Sequence, residues 1–288
     1  MQSTVDGFSY GLVTPVVAYL MACLGGALGL RCTTRSMVVA QSWRAGWLAL
    51  GAAAIGSGIW TMHFIAMMGF TVEQTPIHYD KAITFASLAV AIVMVGVGVF
   101  IVGYRGATGV ALFTGGTVTG LGIASMHYLG MAGMRLNGVL EYNTLTVAAS
   151  VLIAVVAATA ALWAAGQIRG FLWSVGASLV MGLAVTGMHY TGMAALRVHL
   201  HGIGGTPAGE APAALLAPMM IGPLVFLCLA GVVVMFDPLM VMGKPDWTPV
   251  ERKPGVPARP RVAHTGRHPS AHPRGRSAQR SFRAPQNR

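Results

Sequence analysis

The chain has 288 residues, of which 55% are hydrophobic and only 9% are charged, and its mean hydropathy is +0.65. This composition leaves too little polar surface for a soluble globular protein and indicates that the bilayer is the solvent. The formal net charge of +11 is concentrated in residues 237–288, which contribute +8 of it. The high isoelectric point therefore reflects this C-terminal segment, and the apolar part of the chain carries a net charge of only +3.

Seven apolar segments are each long enough to cross a bilayer as a helix, which takes about 20 residues. None of them alternates apolar and polar residues as a membrane β-barrel would. We therefore predict an all-α, polytopic membrane protein with seven transmembrane helices, and the abundant Gly and Ala predict close packing between them. The predicted helices cover 9–30, 45–69, 82–103, 110–134, 145–165, 172–196 and 215–236.

Basic residues follow the odd-numbered predicted helices, whereas the alternate loops are mixed in charge. Loops rich in Lys and Arg face the cytoplasm. Residues 1–8 contain no basic residue, so they lack the start of a secretory signal peptide. We therefore predict an uncleaved N-terminus outside and a cytoplasmic C-terminus. The basic residues are Arg31, Arg35 and Arg44 after the first helix, Arg105 after the third and Arg169 after the fifth.

A short motif occurs three times inside the apolar segments, as TMHFIAM at 61–67, SMHYLGM at 125–131 and GMHYTGM at 187–193. The histidines are 64 and 62 residues apart, a period that fits one helical hairpin in a membrane. The motifs should therefore lie on parallel helices at one depth, in the outer half of the bundle. This predicts three repeated two-helix units followed by a final helix.

Each histidine and the methionine four residues later lie on nearly the same helix face, because a helix advances about 100° per residue. An ionisable side chain inside a membrane is costly and marks a functional site by default. Imidazole suits several transition metals, and thioether sulfur selects Cu(I). We therefore predict a copper site with these ligands: His63, Met67, His127, Met131, His189 and Met193, with Met62, Met126 and Met188 as additional candidate ligands.

Other interpretations of the repeats stay open. A haem held by two of the histidines is one of them, although it gives no reason for a threefold pattern. A triplicated hairpin kept for packing alone, with no metal, is another, because methionine is a common core residue. Tyr128 and Tyr190 are predicted to support the site from a second layer or to act as interfacial anchors.

The motif resembles that of the MHYT-domain integral membrane sensors, since Met188-His189-Tyr190-Thr191 carries the family signature unaltered. The resemblance covers about residues 9–200. It implies a multi-pass sensor of the bacterial inner membrane in which Met, His and Tyr near the outer face bind copper and detect oxygen, carbon monoxide or nitric oxide. A copper transporter would use the same ligands, but it should show a ladder of them along a pore.

Many members of that family carry a cytoplasmic cyclase, phosphodiesterase or kinase module, whereas only the segment 237–288 follows the last helix here. We therefore expect that the chain is not an enzyme and signals through a separate cytoplasmic or membrane partner. The proline-rich segment 237–288 is predicted to be a disordered tail that binds anionic lipid headgroups or simply enforces topology, with nucleic acid a weaker candidate. The predicted domains are an extracytoplasmic N-terminus at 1–8, the sensor domain at 9–200, an outer loop at 201–214, the seventh helix at 215–236 and the tail at 237–288.

Overall fold

The computed structural model describes residues 5–6, 9–72, 75–167, 171–200 and 209–236. These residues form seven helices that are long and apolar enough to cross a membrane. The predicted all-α membrane fold is therefore confirmed. The helices are α1 Val13–Ser36, α2 Gln41–Met68, α3 Lys81–Arg105, α4 Gly109–Ala132, α5 Thr144–Gln167, α6 Phe171–Ala194 and α7 Pro212–Met235.

The helix ends differ from the prediction where polar residues continue a helix. Helix α1 runs to Ser36, so that Arg31 and Arg35 lie in its final turns and not in a loop, and α2 already includes Arg44. The guanidinium of Arg44 donates to the carbonyl of Gly103, which ties the start of α2 to the end of α3. Long Arg side chains can place an apolar stem in the bilayer and a charged head at its surface. The predicted tail, Arg169, and residues 201–208 of the predicted outer loop lie outside the described residues.

Short antiparallel strand pairs, which the sequence did not predict, join the two ends of each helical hairpin. Each pair combines the strand before an odd helix with the strand after the following even helix. The three units are thus strand–helix–helix–strand repeats, and each closes on itself at the motif-bearing end. The pairs are β1 Val5–Asp6 with β2 Thr71–Val72, β3 His78–Tyr79 with β4 Met134–Arg135, and β5 Gly138–Tyr142 with β6 Leu196–Leu200.

The six helices of the repeats form a closed ring in chain order, with α6 packed back against α1. The even helices also contact one another across the centre, α2 with both α4 and α6, and α7 packs outside against α1 and α2. Within the first hairpin the backbones meet at two glycines: a Cβ on Gly58 would lie 2.6 Å from the Cα of Gly25. This approach is the small-residue packing that the composition predicted.

Candidate metal centre

The three motif histidines meet at the centre of the ring, one from each even helix. The Nδ1 atoms of His63 and His189 are 3.0 Å apart, those of His63 and His127 are 3.2 Å apart, and those of His127 and His189 are 3.3 Å apart. The parallel even helices bring three residues that are 62 and 64 positions apart in the chain to one depth. The structure therefore unites the histidines that the repeat singled out.

The triad is sealed from its surroundings. Its three imidazoles are at most 1% exposed. They stand nearly perpendicular to one another, with ring centroids 5.0–5.1 Å apart. The aromatic residue after each histidine packs its ring against that imidazole in an edge contact, with centroids 4.6–5.0 Å apart. These aromatic residues are Phe64, Tyr128 and Tyr190.

The glycines three positions after His127 and His189 explain how the even helices approach so closely. A Cβ on Gly130 would lie 2.5 Å from Nε2 of His63, and a Cβ on Gly192 would come even closer to Nε2 of His127. Each glycine of one repeat thus makes room for the imidazole of the preceding repeat. The Nε2 atoms of His63 and His127 are buried without a hydrogen-bond partner. Their Nδ1 atoms therefore face the triad centre, and their other nitrogens face apolar packing.

No arrangement of protons satisfies the three Nδ1 atoms together. A hydrogen bond between two of these nitrogens needs one protonated and one bare atom. Among three nitrogens, each either protonated or bare, at least one pair is always alike, and that pair is repulsive at 3.0–3.3 Å. Three bare nitrogens around one cation would all be satisfied instead. The group can therefore hold a metal ion.

The size of the triangle fits a transition metal. The three Nδ1–Nδ1 distances place its centre about 1.8 Å from each Nδ1 atom, close to the roughly 2.0–2.1 Å of a metal–imidazole bond. Among the described residues, no carboxylate or thiol joins the three histidines within ligating distance. A haem does not fit, because its macrocycle cannot stand between nitrogens 3.0–3.3 Å apart.

The predicted methionine ligands lie in the core of the bundle. Met62, Met126 and Met188 are at most 1% exposed, as are Met67 and Met131, whereas Met193 is half-buried. All six belong to or pack against one hydrophobic cluster that spans the repeats. The three methionines that come four residues after the histidines share one level along the bundle, and the three that directly precede the histidines share another.

The ring and the hydroxyl group of Tyr128 contact different neighbours. The Tyr128 hydroxyl lies 2.6 Å from Oγ of Ser150 on α5, which ties α4 to its neighbour. The ring of Tyr128 therefore supports His127 while its hydroxyl is bonded elsewhere. The Tyr190 ring makes the equivalent contact with His189.

Histidines at the strand-bearing end do not join the triad. His199 on β6 pairs with Glu141 on β5, with 3.2 Å between Nε2 and the carboxylate. Its partner in the sequence, His201, lies outside the described residues. The small residue three positions after each histidine belongs to the repeated motif, but the contact of Gly130 and Gly192 with the imidazole of another repeat was not predicted.

Comparisons with known proteins identify two of the repeats. The MHYT profile, described as a bacterial signalling protein N-terminal repeat, matches residues 56–115 and 120–177. Each match begins in an even helix, includes the next odd helix and ends in the first turns of the following even helix. The third motif lies outside the matched residues, although its His189 completes the triad.

Curated relatives are longer signalling proteins. The chain is 38% identical over 197 residues to the bifunctional diguanylate cyclase/cyclic di-GMP phosphodiesterase MucR of Pseudomonas aeruginosa, covering 67% of this chain and 29% of that protein. It is 35% identical over 209 residues to the cyclic di-GMP phosphodiesterase NbdA of the same organism, covering 68% and 26%. It is 29% identical over 198 residues to the signaling protein YkoW of Bacillus subtilis, covering 66% and 24%. The chain thus spans less than a third of these relatives, and no solved structure matches it.

Proposed function

We propose a copper-dependent sensing function for this chain, which belongs to the MHYT family of bacterial membrane sensors. In this proposal the ion is Cu(I), the ligands are His63, His127 and His189, and the signal is a diatomic gas: oxygen, carbon monoxide or nitric oxide. The observation that carries the proposal is the convergence of three buried Nδ1 atoms that no set of protons can satisfy.

The charge of the surroundings favours a monovalent ion. Burying charge in a medium of low dielectric is expensive unless a counter-charge accompanies it. Three neutral imidazoles bring no negative charge, and the described residues place no carboxylate or thiol beside them. Cu(I) brings half the charge of Zn²⁺ or Cu²⁺ into this site. Thioether sulfur from Met67, Met131 or Met193 is the further ligand that the sequence predicts, and it also favours Cu(I).

Bound Cu(I) would supply a soft centre that can accept a small neutral ligand such as a diatomic gas. The protein's own residues would hold and isolate that centre. The three even helices fix the imidazoles, and the aromatic ring after each histidine limits the rotation of its imidazole. Burial of the triad excludes water and larger molecules.

Signal output is proposed to pass through a separate partner. Two of the relatives, MucR and NbdA, are enzymes of cyclic di-GMP turnover. We propose that the partner belongs to that signalling class and that the chain reports the state of its site through the bundle. Deleting residues 244–288 tests the predicted tail: an unchanged cellular cyclic di-GMP response would remove the tail from the mechanism.

We further propose that the strand-bearing end faces outward in a bacterial inner membrane. Arg31, Arg35, Arg44 and Arg105 all lie toward the opposite end of the ring, which supports a cytoplasmic position for that end. The histidine triad would then lie in the outer half of the bilayer. Reporter fusions after residue 106 and after residue 136 would test this orientation.

Elemental analysis tests the copper site directly. The full chain is purified in detergent after anaerobic incubation with Cu(I), beside a variant with His63, His127 and His189 all changed to Ala and a control, His199→Ala. We expect about one copper per chain in the parent and control and none in the triple variant. Equal or negligible copper in parent and triple variant would refute the proposal.

A further inference from the structure

The even helices present aliphatic residues to the same axis on the side of the triad away from the strands. Four residues before each histidine stand Ile59, Ile123 and Val185, which are one helical turn, or about 6 Å, from the imidazoles. Eight residues before stand Ile55, Thr119 and Met181. Because residues four apart share a helix face, these two levels continue the histidine level along the centre of the ring.

These two levels enclose a cavity of about 30 Å³. Residues of all six repeat helices line it, and they are almost entirely aliphatic. The Thr33 hydroxyl donates to the carbonyl of Gly29, so the polar atom left to the cavity is Oγ1 of Thr119, which has no hydrogen-bond partner. A buried water needs two to four polar partners, whereas apolar cavities stay dry and take up apolar guests such as xenon.

Helix α5 is the thin wall of this cavity. It contributes four alanines and Leu162, whereas α3 contributes two valines and α1 contributes Leu30 and Thr33. Helices α5 and α6 also pack less closely than the helices of the other two hairpins. Apart from Leu162, the cavity is therefore bounded by the smallest side chains where the ring is loosest. The alanines are Ala157, Ala158, Ala161 and Ala165.

A groove on the outer surface lies on the other side of that wall. It runs between α5 and α6, and Trp163 and Trp173 on its rim are more than half exposed. Ala157, Ala161 and Met181 line both the groove and the cavity. Met181 is the only one of the three with a long side chain, and three rotatable bonds let a methionine move aside at little cost.

We propose that this cavity is a docking site for an apolar diatomic gas, which enters sideways from the bilayer through the α5–α6 groove and past Met181. The proposal deepens the sensing function, because it gives the gas a route and a waiting position one turn from the triad. The docking step itself needs no metal. It selects by chemistry: the aliphatic lining accepts oxygen, carbon monoxide or nitric oxide and rejects water and anions.

Lateral access fits the physical properties of such gases. Apolar molecules concentrate in hydrocarbon, and burial of apolar surface is the favourable term in both the bilayer and the cavity. The strand pairs and the buried core close the outer end of the bundle, where Met67, Met131 and Tyr79 are at most 1% exposed. The loosely packed α5–α6 side offers the shortest apolar path from lipid to the axis.

Xenon binding to the metal-free full chain in lipid nanodiscs tests the docking site, with ¹²⁹Xe NMR saturation transfer giving affinity and exchange rate. Three Ala→Leu variants on α5 form a matched set: Ala158→Leu fills the cavity, Ala160→Leu narrows only the groove, and Ala149→Leu faces outward away from both. Ile123→Val enlarges the cavity, and it provides a second test of the cavity in case Ala158→Leu does not fold.

We expect xenon to bind the parent and Ala149→Leu equally, and to bind Ala158→Leu at least about tenfold more weakly because the added side chain occupies the space. Ile123→Val should bind xenon more tightly. Ala160→Leu should keep the parent affinity but exchange xenon several-fold more slowly. The docking site would be overturned if the parent bound no xenon. It would also be overturned if Ala158→Leu bound xenon as tightly as the parent and Ile123→Val bound it no more tightly than the parent. Unchanged exchange in Ala160→Leu would overturn the lateral route.

The outcomes also separate this proposal from the copper proposal. Xenon is inert toward metal, so its binding reports the cavity alone. If the parent binds xenon but no copper, the docking site stands and the copper site is refuted. If the parent binds copper but no xenon, the copper site stands and the docking site is refuted.

Discussion

The histidine level and the aliphatic level one turn away come from the same three helices, yet they pack in opposite ways. At the histidine level three side chains converge until their nitrogens are 3.0–3.3 Å apart. At the level of Ile59, Ile123 and Val185 the same helices leave a cavity. We therefore expect that the polar centre and the adjoining apolar space can be altered independently of each other.

Different neighbours produce the two results. At the histidine level Gly130 and Gly192 lack the Cβ atoms that would collide with the imidazoles of His63 and His127. At the aliphatic level the odd helices differ, because α5 supplies four alanines beside Leu162 whereas α1 and α3 supply mainly larger side chains. The histidine level therefore follows the threefold repeat, whereas the cavity departs from it on one side.

The largest expected effect breaks the histidine level through its glycine. Gly192→Val should displace His127, because even a Cβ at Gly192 would collide with its Nε2. We expect a loss of about 1–3 kcal/mol of stability from overpacking and a large fall in copper content. Thermal unfolding in detergent and elemental analysis measure both.

Gly187→Val is the matched control on the same helix. A Cβ at Gly187 would meet no atom within 4 Å, so this variant should keep the parent's stability and copper content. Equal behaviour of the two valine variants would show that close approach at Gly192 is not required.

A second, smaller effect separates the tyrosine ring from its hydroxyl. Tyr128→Phe removes the bond to Ser150 but keeps the ring against His127. We expect a loss of about 1 kcal/mol, the usual net value of a hydrogen bond, and unchanged copper content, since Phe64 takes this place in the first repeat. Adding Ser150→Ala should cost little more than either single change. A fall in copper in Tyr128→Phe would instead give the phenol a part in the site.

A still smaller effect, of opposite sign, sharpens the apolar side of the comparison. Thr119→Val replaces a buried hydroxyl that has no partner by a methyl group of the same shape. Burying such a hydroxyl unpaired costs about 1–3 kcal/mol, and its removal should recover part of this. We expect a modest rise in the unfolding temperature and tighter xenon binding. Destabilisation would show that the hydroxyl is bonded in the folded protein.

The histidine level was predictable because it depends on the repeat. The spacing of His63, His127 and His189 fixed three parallel helices at one depth, and a shared depth in a bundle brings the side chains together. Helix positions were predictable from apolar length. The true ends of α1 and α2 were not, because Arg31, Arg35 and Arg44 continue a helix that hydropathy alone would end.

The cavity and the strand pairs were not predictable, because each depends on packing between segments far apart in the chain. Strands such as Thr71–Val72 are too short to show a periodic pattern. The alanines of α5 look like ordinary apolar residues until their neighbours are known. Gly130 and Gly192 did stand in the repeated motif, but only the structure shows that each faces the imidazole of another repeat.

The smallest expected effect is a pH-dependent change in stability at the strand-bearing end of the bundle, which lies next to the histidine level and away from the cavity. The Asp80 carboxylate accepts from the backbone N–H of Ile83 at 3.1 Å and from Arg135 at 3.2 Å, so it joins the start of α3 to β4. The bond from Ile83 and then that from Arg135 lower the pKa of Asp80 below its ordinary value. A lowered folded-state pKa gives stability that is present above the unfolded pKa of about 3.9 and is lost as pH falls through the folded value.

Asp80→Asn should therefore be slightly less stable than the parent at pH 5–7, where the carboxylate of Asp80 is ionised in the parent. Asparagine can still cap α3, but it carries no charge to pair with Arg135. The gap between the two unfolding temperatures should shrink below about pH 4 and close once Asp80 is protonated. Arg135→Gln should give the same pattern through the other partner. Xenon binding should be unaltered in both variants, since the cavity lies on the far side of the triad. A gap that persists unchanged in acid would show that the charge of Asp80 does not hold this end together, and altered xenon binding would show that the two levels are not independent.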